Sequence, residues 1–227
     1  VANMLRARGD CVVLPEPPAL DAMLRPPVPV QAADHARWIA GLIAATAQPR
    51  HGERHAAVKL DSWHVLFLPI LRVAFPDVPK IFLYREPREV IASHLRQRGL
   101  HTVPSLLDPG LFGIDRTEAL AMPPAAYCAR LIGRILDAAA DAPDLMPIHY
   151  RDLPDATIVR IAPAFGLCGR EQEMSRAAGS ASNQSSFTVT ESRCGRRAGN
   201  GQRPSGFVST GRNRLSSRIS ICALSSS

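Results

Sequence analysis

Short apolar runs alternate with helical patterns over the first part of the chain, up to about residue 168. The clearest is the continuous apolar run at Lys80–Tyr84, which suits a strand in a sheet that is covered on both faces. Runs of strand length also occur at 11–14, 56–60 and 146–150. Strands that are separated by helices predict an α/β fold with a parallel sheet.

Helical spacing fills the intervals between these strands. One apolar stripe is formed by Trp38, Ile39, Leu42 and Ile43. Pro69 and Pro87 suit the first residue of a helix, where no N–H is needed, and Gly9 and Gly99 suit its end. The pattern therefore predicts a helix that ends before Gly9 and further helices near 69–74, 87–98, 127–135 and 154–165.

The composition changes at residue 169. The segment 169–227 contains 14 Ser, 7 Gly and 9 Arg but only 3 acidic residues. A segment this polar seldom buries enough apolar surface to offset its conformational entropy. We therefore predict an α/β domain at 1–168 and a basic, disordered tail at 169–227.

The net charge of +7 lies almost entirely in this tail. A basic Ser/Arg tail can fold onto RNA, but this one has no Arg-Ser or Arg-Gly-Gly period and little aromatic content. The domain carries a charge close to zero, so neither nucleic acid nor a membrane surface is indicated as a partner. The 5 cysteines are scattered and no apolar run is long enough to span a bilayer. We expect a cytoplasmic protein without disulfides or a metal site.

The segment 80–99 carries the candidate chemistry. Arg85 follows the buried strand, so its guanidinium is expected at the carboxyl edge of the sheet, where open α/β folds bind ligands. Ser93 lies in the second turn of the following predicted helix. A guanidinium, a hydroxyl and a helix N-terminus together suit a phosphate group. The alternative on spacing alone is that Arg85 forms an ordinary surface ion pair with Glu86 or Glu89.

This unit resembles the 3′-phosphate-binding motif of the sulfotransferases that use 3′-phosphoadenosine 5′-phosphosulfate. In that family an Arg ends a strand, a Pro follows it closely and a Ser completes the motif; Arg85, Pro87 and Ser93 match these positions. The resemblance implies a three-layer fold similar to the P-loop NTPases, in which helices flank a parallel sheet. It also implies that Arg85 and Ser93 hold the 3′-phosphate, with Tyr150 beside the adenine.

The same resemblance implies a set of catalytic positions. Lys59 matches a lysine near the transferred sulfuryl group, and three residues compete as the base that takes the acceptor's proton. Glu16 matches the glutamate of the tyrosine-sulfating branch, Asp61 stands where the cytosolic branch has a histidine, and His64 follows Asp61 closely. All three remain candidates. The acceptor is expected to be a hydroxyl or amine of a small molecule or a protein.

Two features depart from the family's pattern. The loop that holds the 5′-phosphosulfate should stand immediately before Val1, and the sequence contains no such loop. The second basic element of the 3′-phosphate site is replaced by the tail. We therefore expect a fold that is incomplete at its N-terminus. The prediction is a sulfotransferase that requires no metal, with this chain either active or an inactive fragment of the enzyme.

Two other function classes are alternatives to the sulfotransferase. A non-catalytic nucleotide-binding or interaction protein of the same fold is the main alternative, since the phosphosulfate loop is missing from the sequence. A nucleotide kinase is not indicated, because it needs a Walker loop and carboxylates for Mg²⁺.

Overall fold

The computed structural model describes residues 1–153, 155–167, 171–179 and 219–224. Within this part of the chain, five strands form a parallel sheet in the order β1-β2-β5-β3-β4. The strands are β1 (Cys11–Pro15), β2 (His55–Asp61), β3 (Lys80–Tyr84), β4 (Leu145–His149) and β5 (Ile219–Leu224).

Nine α-helices precede or connect these strands in the described ranges. They are α1 (Ala2–Ala7), α2 (Pro18–Leu24), α3 (Ala32–Thr46), α4 (Leu68–Ala74), α5 (Pro87–Arg96), α6 (Arg116–Ala121), α7 (Pro124–Ala140), α8 (Ala162–Ala164) and α9 (Glu171–Gly179). Short 3₁₀ turns lie at Ser62–Phe67, Leu100–Thr102, Pro109–Phe112 and Tyr150–Asp152, and a single π-helical turn lies at Thr157–Ile161.

Alternating strand residues build two separate apolar cores, one on each face of the sheet. On one face Leu60 and Phe82 belong to a cluster with residues of α2, α3, α4 and α7. On the other, Ile81 and Ile148 belong to a cluster with residues of α1, the π-helical turn, α8 and α9. Side chains that alternate along a strand point to opposite faces, so covering helices are needed on both. The fold class is therefore α/β, as the sequence predicts.

The strand predictions for β1 to β4 are confirmed to within one residue at either end. Helices also form at the predicted places before Gly9 and near 69–74, 87–98 and 127–135. Gly9 has a φ of 71°, in the left-handed region that glycine adopts at a helix end. Gly99 does not end a helix, because α5 ends at Arg96 and Gly99 has an ordinary φ of −71°.

Two helical predictions differ from the structure. Trp38 is 47% exposed, because the buried stripe of α3 runs through Ala36, Ile39 and Ile43 and Trp38 stands beside it. The predicted helix at 154–165 is instead the π-helical turn followed by α8. Pro163 lies within α8 and lacks the N–H that a longer regular helix would use.

Two described pieces of the segment 169–227 form regular elements that its composition does not predict. Helix α9 packs on the second face of the sheet through Met174, which is fully buried. Strand β5 pairs with both β2 and β3 and so occupies the middle of the sheet. The remainder of the predicted disordered tail, at 169–170, 180–218 and 225–227, lies outside the described residues.

A buried arginine ties α1 to the segment that leads toward α9. Arg8 is 2% exposed and donates two hydrogen bonds of 3.0 Å to the carboxylate of Asp10. A third bond, of 3.1 Å, goes to the carbonyl of Leu167. A buried guanidinium that lost such partners would be strongly destabilising, so this contact fixes the second layer of helices. None of the described helices is both long and apolar enough to cross a membrane.

Candidate active site at the carboxyl edge of the sheet

The parallel sheet brings the predicted site residues to one edge. Glu16 follows β1, Asp61 ends β2, Arg85 follows β3 and Tyr150 follows β4. Because all strands run the same way, their carboxyl ends meet at this edge. Strand β5 ends between the two halves, since its Leu224 pairs with both β2 and β3 at their carboxyl ends.

A lysine and a glutamate form a pair at the β1 side of this edge. The register places Lys59 opposite Pro15, so Glu16 comes next to Lys59. The N–H of Glu16 donates to the carbonyl of Lys59 at 2.8 Å, and Lys59 Nζ donates to Glu16 Oε1. Glu16 has a φ of 45°, in the left-handed region that side-chain-bearing residues rarely adopt. Strain of this kind costs about 1–3 kcal/mol and recurs at functional sites.

Asp61 lies close enough to Lys59 and Glu16 for their charges to influence the pKa of its carboxyl group. Burial is the main influence and raises the pKa of the Asp61 carboxyl above its ordinary value. The negative charge of Glu16 raises it further, while His64 and Lys59 act in the opposite direction. Asp61 is therefore a better proton acceptor than a solvated aspartate.

His64 is buried in the 3₁₀ turn after β2, and both of its ring nitrogens are hydrogen-bonded. The backbone N–H of Asp61 donates to Nδ1 at 3.2 Å. Nε2 lies 3.0 Å from Oδ1 of Asp21. A backbone N–H can only donate, so Nδ1 presents its lone pair and the proton of the neutral ring is on Nε2. The His64 ring therefore has no free lone pair with which it could take a proton from a bound substrate.

Asp21 and Arg25 belong to this cluster, although the sequence reasoning did not find them. Asp21 lies in the first turn of α2 and Arg25 directly follows the helix, and Arg25 donates to Asp21 at 2.5 Å and 3.4 Å. Burial works against ionisation of Asp21, but its bonds to Arg25 and His64 outweigh that effect and lower its pKa. The Arg25 guanidinium also lies 5.4 Å from the ring centre of Trp63. A sequence signal existed in the four-residue spacing of Asp21 and Arg25 after a helix-starting Pro18.

Arg85 lies on the other side of β5 and has no carboxylate partner among the residues that the structure describes. Its guanidinium lies 4.7 Å from the ring centre of Tyr150, a stacking arrangement. Its Nε atom is buried and has no hydrogen-bond partner among the described residues. A buried donor without a partner is unusual in a folded protein, so this guanidinium has hydrogen-bonding capacity that no described residue uses.

The surface ion pair that spacing alone allowed for Arg85 does not form. Glu89 accepts instead from Arg151, at 3.0 Å, so the acid on the first turn of α5 is already engaged. Glu86 is exposed and ends the loop before α5. The arginine of the motif thus remains available while its neighbour Arg151 is paired.

Ser93 is less clearly part of this site. It lies in the second turn of α5, as predicted, and is half-buried. In the described part of the chain, its hydroxyl makes no hydrogen bond with Arg85. The structure therefore places Arg85 and Tyr150 in contact and leaves Ser93 on the neighbouring helix without a polar contact to them.

A small cavity adjoins Arg85 and contains two buried histidines. Its polar lining consists of Ser62, Arg85, His94 and His101. The two imidazoles meet edge to face with 5.0 Å between ring centres. Burial lowers the pKa of His101 to about 4 and lowers that of His94 as well. Both imidazoles of the cavity are therefore neutral at neutral pH, and Arg85 is the permanent cation in the cavity lining.

Metal and thiol chemistry have little support in the described ranges. No three His, Cys, Asp or Glu side chains lie together there in a way that could hold a metal ion. Cys11 and Cys128 are buried free thiols, and burial raises the pKa of Cys11 to about 12 and raises that of Cys128. Such thiols stay protonated and unreactive at neutral pH. The other three cysteines lie in segments whose side chains are outside the description.

Comparisons with known proteins give no match to this chain. No family model fits the sequence. No curated protein and no solved structure resembles it significantly.

Proposed function

We propose that the chain binds a nucleotide 3′-phosphate at Arg85 and takes part in sulfuryl transfer from 3′-phosphoadenosine 5′-phosphosulfate. The observation that carries this proposal is the state of Arg85. Its guanidinium is half-buried, stacked on Tyr150 and without a carboxylate partner in the described ranges. Charge-assisted hydrogen bonds to phosphate are the natural use of such a group.

The position of the site supports the proposal further. In open parallel sheets, ligands bind beyond the carboxyl ends of the strands, and Arg85 and Lys59 lie there on the two strands that flank β5. A donor that spans these strands would have its 3′-phosphate at Arg85 and its sulfuryl group toward Lys59. We propose on this basis the three-layer, P-loop NTPase-like fold of the sulfotransferases.

The proposed reaction needs one proton acceptor and one cation. The acceptor's oxygen or nitrogen attacks sulfur, the bond from sulfur to the 5′-phosphate oxygen breaks, and the acceptor's proton passes to a base. Lys59 would stabilise charge on the migrating group. Glu16 and Asp61 are the bases that this geometry favours, because His64 has both nitrogens engaged.

A second function is favoured by one observation. The ammonium of Lys59 is already paired with Glu16, and a lysine held in this way has less capacity to stabilise a sulfuryl group. The alternative is therefore a nucleotide-binding protein that uses Arg85 without catalysing transfer. The two functions share the nucleotide site and differ in whether Lys59 leaves Glu16 when the nucleotide binds.

Isothermal titration calorimetry with 3′-phosphoadenosine 5′-phosphate tests the shared site. We expect Arg85→Ala to weaken binding about a hundredfold, since a desolvated charge pair typically loses 2–5 kcal/mol when one partner is removed. Arg85→Lys keeps the charge but loses the planar fork, so it should fall between the two.

A matched control is Arg151→Ala, because Arg151 lies close in sequence to Tyr150 but is paired with Glu89. Its affinity for the nucleotide should stay within about threefold of the unaltered chain. Adenosine 5′-phosphate, which lacks the 3′-phosphate, should bind weakly and equally to the unaltered chain and Arg85→Ala. Equal affinity of both chains for the 3′-phosphorylated nucleotide would remove the 3′-phosphate assignment.

A further inference from the structure

We infer that Asp21 is a positioning residue that acts through His64 to hold Asp61 in place beside the Lys59–Glu16 pair. This inference rests on the proposed function only for the role of Asp61 as a candidate base. The chain of contacts itself is a property of the fold and needs no nucleotide.

The orientation of the His64 ring is fixed by its burial and its two hydrogen bonds. Its side chain is 3% exposed, so the ring cannot exchange its partners for water. The Asp61 N–H donates to Nδ1, and Nε2 donates to Oδ1 of Asp21. Loss of the bond at Nε2 would leave a buried donor unsatisfied and would favour reorientation of the ring.

Asp21 is itself held in place by Arg25. Arg25 donates to both of its carboxylate oxygens, and Arg25 in turn lies over the ring of Trp63, the neighbour of His64. Helix α2 is thus fastened to the turn after β2 by two contacts to adjacent residues. Because Arg25 holds the Asp21 carboxylate in place, the direction in which Asp21 accepts the hydrogen bond from Nε2 is fixed.

A hydrogen bond joins the His64 ring to Asp61. The N–H of Asp61 donates to the His64 ring, so this bond restrains the last residue of β2. The carboxyl group of Asp61 is held where it senses Glu16 and Lys59. Removal of the Asp21 carboxylate should therefore change the position of Asp61 indirectly, through the His64 ring.

Two variants separate the hydrogen bond from the charge. Asp21→Asn keeps an oxygen that can accept the Nε2 proton, whereas Asp21→Leu removes the acceptor at similar size. Asp34→Asn is the matched control, since Asp34 forms an exposed helical ion pair with Arg37 at 2.7 Å, away from this cluster. All three are compared in the full chain by hydrogen exchange and NMR.

The decisive measurement is the exchange rate of the Asp61 amide relative to the other amides of β2. We expect about tenfold faster exchange in Asp21→Leu, about twofold in Asp21→Asn and no change in Asp34→Asn. General destabilisation would accelerate the whole strand together, so the comparison is confined to the ratio between Asp61 and its neighbours. An unchanged ratio in Asp21→Leu would overturn the inference.

A spectroscopic readout tests the same point without relying on exchange. Proton–nitrogen correlation spectra of the His64 ring should show the Nε2–H tautomer in the unaltered chain and in Asp21→Asn. A proton on Nδ1 in the unaltered chain would contradict the assigned contacts. Nucleotide binding should be unaffected in Asp21→Leu, so a failed nucleotide site and a failed positioning role give different results.

Discussion

The two halves of the carboxyl edge differ in how their charges are satisfied. On the β1 and β2 side, Glu16, Lys59, Asp21 and Arg25 are all paired, and His64 is hydrogen-bonded at both nitrogens. On the β3 and β4 side, Arg85 has an aromatic neighbour and no acid in the described ranges. The charged groups on the β1 and β2 side are therefore paired before any ligand binds, whereas Arg85 on the β3 and β4 side keeps hydrogen-bonding capacity for a ligand.

The first prediction concerns acid stability on the Arg85 side and has the largest expected effect. His101 has a folded-state pKa of about 4 against an ordinary value of 6.5, so the unfolded chain binds the proton first as pH falls. Between these values the buried imidazole should cost roughly 3 kcal/mol of stability, since each pKa unit is about 1.4 kcal/mol. Urea unfolding measured from pH 7 to 4 tests this loss.

The variant that isolates this effect is His101→Phe, in which the buried ring stays apolar and cannot titrate. Its stability should depend less on pH than that of the unaltered chain. His51→Gln serves as a control because His51 is exposed. A pH dependence in His101→Phe as steep as in the unaltered chain would show that another group carries it.

The second prediction compares the two halves directly. Asp21→Leu leaves both the His64 Nε2–H and Arg25 without their acceptor, and we expect a loss of about 2 kcal/mol in the free energy of unfolding. Arg85→Leu breaks no ion pair or hydrogen bond in the described ranges, so its loss should stay below about 1 kcal/mol, the value of its stacking on Tyr150. Urea unfolding at neutral pH measures both, and equal losses would erase the contrast between the halves.

The third prediction is smaller and concerns Asp61. A carboxyl whose pKa is raised on folding stabilises the folded state most at low pH, and that contribution is lost as pH rises above its ordinary value of 3.8. Asp61→Asn removes this loss. The variant should therefore gain stability relative to the unaltered chain between about pH 4 and neutrality, which thermal unfolding across that range can measure. A constant difference at every pH would show that Asp61 does not titrate in this way.

Much of the sheet could be predicted because each of its first four strands is a short, mainly apolar run that is separated from the next by helical patterns. The central position of β5 could not, since a short strand distant in sequence is selected by pairing with β2 and β3 rather than by its own pattern. Helices α2 and α6 were also missed, because each is under two turns long and gives no clear period.

The site shows a similar division. Arg85 could be placed at the carboxyl edge from strand direction alone, whereas Lys59 and Asp61 were identified through the family resemblance. The roles of neighbours could not be read in this way. The engagement of His64 with Asp21 depends on how α2 packs across the end of β2, a contact between residues that are 43 positions apart.

The central claim is that Arg85 is the reserved anion-binding group of this edge, and phosphorus NMR of 3′-phosphoadenosine 5′-phosphate tests it most directly. The two phosphates of this nucleotide give separate signals. The account predicts that the unaltered chain shifts the 3′-phosphate signal and that Arg85→Ala leaves this signal at its free position. A 3′-phosphate signal that shifts equally with both chains would contradict the account.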